Sequence, residues 1–461
     1  MRIRRIRKEG DMRSLVARPG AWLLLQAAVL LAYLVGTDQF SVQRLPDSGG
    51  YEYFPAHSLR EALSQSRTVA YPLFLSAVRV PSPSLDLLPT LQLMGHALAV
   101  YLVYRGLCQT GVAPWTALVV ASPLLYARTV VQFGAAVLSD LPALSLAVAT
   151  SGLLLTVLAR PRSWPAWVGL TLALFLTYQT RPAYLFMVGL VPLLGWLLPR
   201  VTGAPADGLT RRGVAAGVAA AALLPLLAFC ALRWAVVGHF GLVSFGGCNT
   251  IGIAGQFLRE ADVESLPPDL RPLSRAMLEA RAEEEAQGRW KRAVAPGAID
   301  YTLMCESYNS TCQMCFGGAI LALYHGESDL VLYNGLATRL AWALIVRHVG
   351  DYRRWLQRAF WEGCTMMAES AADKWVFVRL FALLGLLHAA RRLRHPVAAA
   401  PAPGGDARVA LGVMALLGVS FALTTLLLVI AVEVPLARYL DAAAAFLPSV
   451  VAAAVCLRCA P

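Results

Sequence analysis

The sequence predicts an all-α polytopic membrane protein, a bundle of about ten transmembrane helices with a mainly helical domain outside the bilayer. Three observations predict it. The 461 residues are 57% hydrophobic and only 15% charged, whereas an ordinary soluble domain carries roughly a quarter charged residues. The apolar residues come in runs of about 20, the length that crosses a bilayer as a helix. The arginines behind the net charge of +12 fall in short clusters between those runs, as in cytoplasmic loops. That clustering also argues against nucleic acid, which calls for a continuous basic face.

The elements follow in order. The basic start MRIRRIRKEGDMR precedes an apolar run from Ala21 to Val35, with no clean small-residue cleavage site after it. It reads as an uncleaved first helix with its basic end inside. Residues 37–84 then form a first outer loop. Further spans fall at 86–105, 113–131, 137–158, 164–180, 183–199, 213–237, 374–391, 409–432 and 441–458. This arrangement puts both termini in the cytoplasm. The charges agree independently. Arg105, Arg160 with Arg162, Arg200 with Arg211 and Arg212, and the Arg391–Arg394 cluster all land in inner loops, and the short outer loops carry only Arg128, Arg181 and Arg438. Pro182 interrupts 164–199, which becomes either two short helices or one re-entrant one.

Three parts are therefore expected: a transmembrane module over 1–237 that includes the outer loop 37–84, a periplasmic loop domain over 238–373, and C-terminal transmembrane helices over 374–461. Within the second part, LATRLAWALIVRHVGDYRRWLQRAFW sets Trp342, Trp355 and Trp361 among arginines at helical spacing. That predicts an amphipathic helix, lying on the interface or on the domain core. HPVAAAPAPGGDA is a flexible linker. Of nine cysteines, Cys312 and Cys315 form a C-x-x-C with Cys305 nearby. A redox or zinc site is one reading, but no second pair lies at zinc-ribbon spacing, so in an oxidising compartment a structural disulfide is the simpler one. VSFGGCNTIGIAG is glycine-rich without phosphate-loop spacing and reads as a bend packed against the outer face. Asn309-Ser310-Thr311 is a sequon, a pattern frequent by chance. There is no internal repeat.

The chain has no P-loop, dinucleotide fingerprint, H-E-x-x-H or G-x-S-x-G. The informative residues sit at the outer ends of the spans. Asp47, in LPDSGGYEYF, is either a turn residue or a reactive carboxylate. Asp140, in VLSDLPALSL, with Ser139 suits a helix N-cap, and capping is compatible with a second role. Arg67 precedes Tyr71-Pro72, Arg181 precedes Pro182, and Arg438 precedes Tyr439. Single arginines near helix ends can snorkel to headgroups; three on one face suit an anion, because guanidinium grips phosphate with a fixed fork of donors. His57 and His239 lie near the outer surface, as acceptor-site groups or, more simply, as satisfied surface histidines.

The order of these features resembles the GT-C superfamily of membrane glycosyltransferases, in the bacterial branch of protein O-mannosyltransferases and the lipid A aminoarabinose transferase. The features are an acidic residue after the first span, R-x-x-x-Y-P-L-F-L, S-D at the head of an outer-facing span, R-P, and a late R-Y. The resemblance covers roughly 20–200 and 410–458. The chain departs from the family pattern in carrying Ser48 where a second acid often stands, Val69-Ala70 where Pro-Gly often precedes the Tyr-Pro, and Ser139-Asp140 for the common S-E.

The resemblance implies a GT-C-like bundle in the bacterial inner membrane. It implies transfer of a sugar from a polyprenyl-phosphate donor to a lipid, glycan or protein acceptor on the periplasmic face. Asp47 occupies the position of the acidic active-site residue, as the base or the group that orients the acceptor hydroxyl. The expected substrate contacts are Glu52, Arg67, Tyr71, Asp140, Arg181, Arg438 and Tyr439, with the arginines on the phosphate and the spans forming a groove for the prenyl chain. One-step displacement would invert the anomeric centre. No cofactor is expected; a divalent cation on Asp47, Glu52 and Asp140 is the alternative. The rival functions are a transporter or flippase of a lipid-linked anion, and a non-catalytic assembly protein.

Overall fold

Prolines and short polar breaks decide how the apolar runs become helices. The computed structural model describes residues 19–202, 211–295, 297–324, 329–372 and 403–458. The predicted span at 374–391, the basic start and the linker up to Ala402 lie outside the described residues. Among the described residues the protein is all-α apart from one small hairpin.

Helix α1 (Pro19–Gly36) leads into the long first loop, folded as α2 (Gly49–Glu52), α3 (Leu59–Ser64) and α4 (Ala70–Arg79). Next come α5 (Leu88–Gln109), α6 (Pro114–Leu125) and α7 (Arg128–Phe133). The span predicted at 113–131 is thus corrected: α6 has 12 residues with Pro123 inside it, and the chain turns at Tyr126. A proline removes a backbone donor and crowds the preceding turn, so the helix stops soon after it.

α8 (Asp140–Ala159) and α9 (Trp164–Thr180) pack as a hairpin whose turn holds Arg160 and Arg162. Arg181 follows in an extended conformation, φ −148° and ψ 113°. Pro182 forbids the helical conformation to the residue before it. The 164–199 run is therefore two helices: after a 3-10 turn at Pro182–Phe186, α10 (Met187–Thr202) runs back toward α11 (Arg211–Val237). Near the C-terminus α18 (Pro403–Val432) ends just before Pro435, and α19 (Ala437–Ala443) and α20 (Leu447–Arg458) complete the bundle.

Among the described residues six helical segments are long and apolar enough to cross a membrane: Pro19–Gly36, Asp140–Ala159, Pro182–Thr202, Arg211–Val237, Arg408–Val432 and Ala437–Arg458. Their outward faces carry exposed Leu24 and Leu25, Leu223, Leu224 and Leu227, and Leu423 and Leu427. Apolar surface on that scale suits lipid rather than water. The protein is a multi-pass membrane protein.

Between α11 and α18 the chain builds α12 (Gly246–Ala254), α13 (Arg271–Ala286), the antiparallel strands β1 (Val294–Ala295) and β2 (Ala298–Ile299), and α14 (Tyr301–Asn309). A π-helical turn at Ser310–Phe316 joins α14 to α15 (Gly317–Tyr324); α16 (Leu330–Arg347) and α17 (Val349–Ala372) follow. The single amphipathic helix predicted around Trp342–Trp361 is two helices, broken at His348, whose Nε2 lies 2.9 Å from Asp262. Trp355 is core and donates to the Ile430 carbonyl, whereas Trp342 and Trp361 are exposed. This segment shares one apolar core with Ala422, Leu426, Ile430 and Leu440 of α18 and α19.

Cys312 and Cys315 are free thiols, as are the other described cysteines. A helical register explains it: Cβ atoms three residues apart stand ~5–6 Å from each other, beyond the ~3.8 Å a disulfide needs. His239 is half-buried and has its partner on α11. Its Nδ1 lies 2.8 Å from buried Arg233, which also donates to Leu63, Gly241 and Ser244. Those bonds tie the end of α11 to the long first loop.

Candidate active site

The helix ends around Asp140 converge on the long first loop. α8 and α19 start there, and α9 and α18 end there. The loop is pinned beside them by Gln43, whose N–H donates to Ala135 O at 2.9 Å and whose carbonyl accepts from Val137 N at 2.9 Å. Tyr51 adds a second tie, its hydroxyl 2.8 Å from Ser139 Oγ.

Asp47 sits between two arginines. Arg67 Nη2 donates to its Oδ1 at 3.2 Å, and Arg438 Nη1 donates to its Oδ2 at 2.6 Å. Burial alone would raise the Asp47 carboxyl, but Arg438 and then Arg67 outweigh it and hold the group below its ordinary range. Asp47 is therefore a firm anion and a weak base. Arg67 reaches it by lying against Gly50, where a Cβ would stand 2.5 Å from Arg67 Nε. Neither Gly49 nor Gly50 has a positive φ; Gly50 provides room for the guanidinium. Arg67 also covers the Tyr51 ring at 4.2 Å.

Arg181 and Asp140 form a buried ion pair, and Arg181 Nη1 also reaches Ser139 Oγ at 3.5 Å. Ser139 makes no side-chain cap to α8; the Ser139-Asp140 pair serves Tyr51 and Arg181 instead. Tyr439 joins the two halves of the site. Its ring lies under Arg181 at 4.9 Å and under Arg438 at 5.0 Å. Its hydroxyl accepts from Arg438 Nη2 at 3.2 Å and donates to Glu433 Oε1 at 3.0 Å.

Asp47, Arg67, Asp140, Arg181, Arg438 and Tyr439 are thus brought together from segments far apart in sequence. Tyr71 is part of the supporting wall, buried and edge-on to Tyr51 at 5.0 Å. Glu52 is engaged elsewhere: Arg44 Nε and Arg79 Nη2 each donate to it at 2.9 Å, clamping α2 to α4. Arg128 pairs with buried Asp441 at 3.4 Å. Asp47, Glu52 and Asp140 each answer different arginines, and among the described residues no group of three His, Cys, Asp or Glu could hold a metal ion.

Sequence reasoning missed Glu433 and its partner Asn249, whose Nδ2 donates to Glu433 Oε2 at 3.3 Å. The signal was present. In LLLVIAVEVPLARY a lone carboxylate closes an apolar run beside a proline, as Asp47 and Asp140 mark other span ends. Burial raises the Glu433 carboxyl more than Tyr439, Arg181 and Arg438 lower it, and Asp47 adds to the rise. Two carboxyls one arginine apart are thus pushed in opposite directions.

The groove expected for a prenyl chain has a partial counterpart. An apolar groove of about 940 Å³ runs between α1 and α5, lined by Leu24, Ala28, Leu31, Met94, Tyr101 and Cys108 among others. It begins at Pro19 and Arg105, the end of these helices opposite Asp47, and stops short of the arginines.

No family model, no curated protein and no solved structure matches the chain, so what it does is argued from this site alone.

Proposed function

We propose that the protein is a GT-C-like glycosyltransferase that moves a sugar from a polyprenyl phosphate to a hydroxyl-bearing acceptor at the outer face of a bacterial inner membrane. The observation that carries this reading is Asp47 held between Arg67 and Arg438, beside Arg181, at the end of a membrane bundle. An arginine pair closed on an internal carboxylate is a site ready for an external anion. A donor phosphate can take over the two guanidiniums, which bind phosphate with the same fork of donors.

In this reading Arg67 and Arg438 hold the phosphate and steady the charge that gathers on it as the glycosidic bond breaks. Asp47 keeps the two cations apart and aimed while the site is empty. Once released it faces the sugar. The Arg181–Asp140 pair and the Tyr439 ring form the rigid floor. A sugar on phosphate already has a good leaving group, so the demand on the protein is a base for the acceptor and cations for the phosphate. A bundle of about ten spans belongs to the same proposal.

The rival transporter reading expects inverted repeats and charges at mid-membrane. The polar network here lies at helix ends, which favours the enzyme. Mass spectrometry of surface glycans and glycoproteins from a deletion strain tests the reading. A defined sugar should disappear and return with the wild-type chain, but not with Arg67→Ala or Arg438→Ala. An unchanged glycan profile would refute it.

A further inference from the structure

The glycine-rich stretch VSFGGCNTIGIAG is the one motif that the donor site leaves unexplained. It folds as α12, wedged between α16 and α14. At Gly247 a Cβ would collide with the Asn334 carbonyl oxygen, and at Gly252 one would stand 2.5 Å from the Tyr308 ring. The missing side chains let α12 approach both neighbours closely. The approach carries Asn249, on the same helical face as Gly252, to Glu433 at the mouth of the donor site.

Tyr308 lines this seam. It is 4% exposed, and its hydroxyl has no hydrogen-bond partner among the described residues. Its phenol is held protonated, first by burial and then by the neighbouring charge of Glu433. A buried hydroxyl left unbonded is destabilising. The adjoining π-helical turn, Ser310–Phe316, is a form often found beside functional sites. Glu433 is bonded to Tyr439 and Asn249, and a carboxylate has room for about four hydrogen bonds.

We propose that Glu433, Asn249 and Tyr308 form the acceptor subsite at the seam between the outer domain and the bundle, and that Glu433 takes the proton of the acceptor hydroxyl. The inference rests on the glycosyltransferase reading and refines it, moving the base from Asp47 to Glu433. In the step, the acceptor oxygen forms a bond to the anomeric carbon. The bond from that carbon to the phosphate oxygen breaks, its electron pair staying on the phosphate between Arg67 and Arg438. The acceptor proton moves to Glu433. The raised carboxyl of Glu433 suits this work better than the depressed one of Asp47. The subsite offers a carboxylate, an amide and a phenol and no added cation, which fits a neutral polyhydroxyl acceptor such as a glycan end.

The test uses the full-length protein in lipid nanodiscs. Its probes are undecaprenyl- and decaprenyl-phosphate hexoses and pentoses, with water as the minimal hydroxyl acceptor, and released prenyl phosphate is measured. Glu433→Gln should lower kcat by about 100-fold while the donor KM stays within about twofold. The acid limb of the wild-type pH–rate profile should lie above pH 4.5, on the raised side of Glu433, and vanish in that variant. Glu433→Asp should restore part of the rate. Tyr308→Phe removes a hydroxyl the fold leaves unbonded, so it should hold or raise the melting temperature and still slow turnover. A Glu433→Gln enzyme with wild-type kcat, or one whose acid limb persists, overturns the assignment alone. Wild-type protein that releases prenyl phosphate from no donor in the panel overturns the glycosyltransferase reading and the assignment with it.

Discussion

Replacing Asp47 by asparagine keeps the shape of the side chain and removes the charge that holds two arginines. The Asp47 side chain is 39% exposed and those of Arg67 and Arg438 are 28% and 29% exposed. Pairs this wet lie between surface ion pairs, at roughly 0–1 kcal/mol, and charged hydrogen bonds, at roughly 1.5–3 kcal/mol. Taking about 1 kcal/mol for each gives about 2 kcal/mol less hold on the two guanidiniums in the empty site, or about 30-fold in the share of protein ready to receive a donor. The loss should fall on transfer and leave the fold intact, because the loop keeps its bonds from Gln43 to Ala135 and Val137 and from Tyr51 to Ser139. Donor KM should not rise in step with the fall in kcat, since the neutral amide no longer competes with the phosphate for the arginines. The assay is sugar transfer by purified wild-type and Asp47→Asn protein at matched membrane expression. Transfer at near-normal rate in Asp47→Asn would refute the role given to this residue.

Three further outcomes follow from the same contacts. Gly50→Ala places a methyl 2.5 Å from Arg67 Nε, so it should displace Arg67 and reproduce most of the activity loss of Arg67→Ala; equal activity to wild type would contradict the packing. Asp140→Ala leaves buried Arg181 without its carboxylate and should destabilise by about 3–5 kcal/mol, read as a fall in melting temperature and partly rescued by adding Arg181→Gln. Asp47 and Asp262 both have carboxyls held below the ordinary 3.8. Depressed carboxyls stabilise fully above their unfolded value and lose that stabilisation as pH falls through the folded one. These two should therefore add nothing to unfolding between pH 5 and 7 and should act only below about pH 4, as an acid melt of wild type against Asp262→Asn would read.

Much of the architecture was legible in the apolar runs, because length and charge placement alone separate spans from loops. The breaks were less so. Pro182 marked its break in the sequence, but Pro123, which stands just before the end of α6 at Leu125, was read through as part of a span over 113–131. The site residues Asp47, Arg67, Arg181 and Arg438 could be found from their positions at span ends, where a charge is cheap to solvate. Glu433 stood at an equivalent position and was passed over, since its significance depends on Tyr439 and on Asn249, 184 positions away. Glu52 misled for the opposite reason. Its neighbours in sequence are those of the active loop, yet Arg44 and Arg79 turn it into a clamp. The glycines of LPDSGGYEYF suggested a bend, but Gly50 serves to admit the Arg67 guanidinium. Local sequence does not reveal which distant side chain will need the space.

The central claim is that Arg67 and Arg438 close on a prenyl phosphate. It is tested most directly by giving purified protein in nanodiscs a polyprenyl-phosphate sugar and following prenyl phosphate and the configuration of the sugar product. The account predicts release with inversion at the anomeric carbon, abolished in Arg67→Ala and Arg438→Ala. Movement of intact donor across the bilayer without release would contradict it.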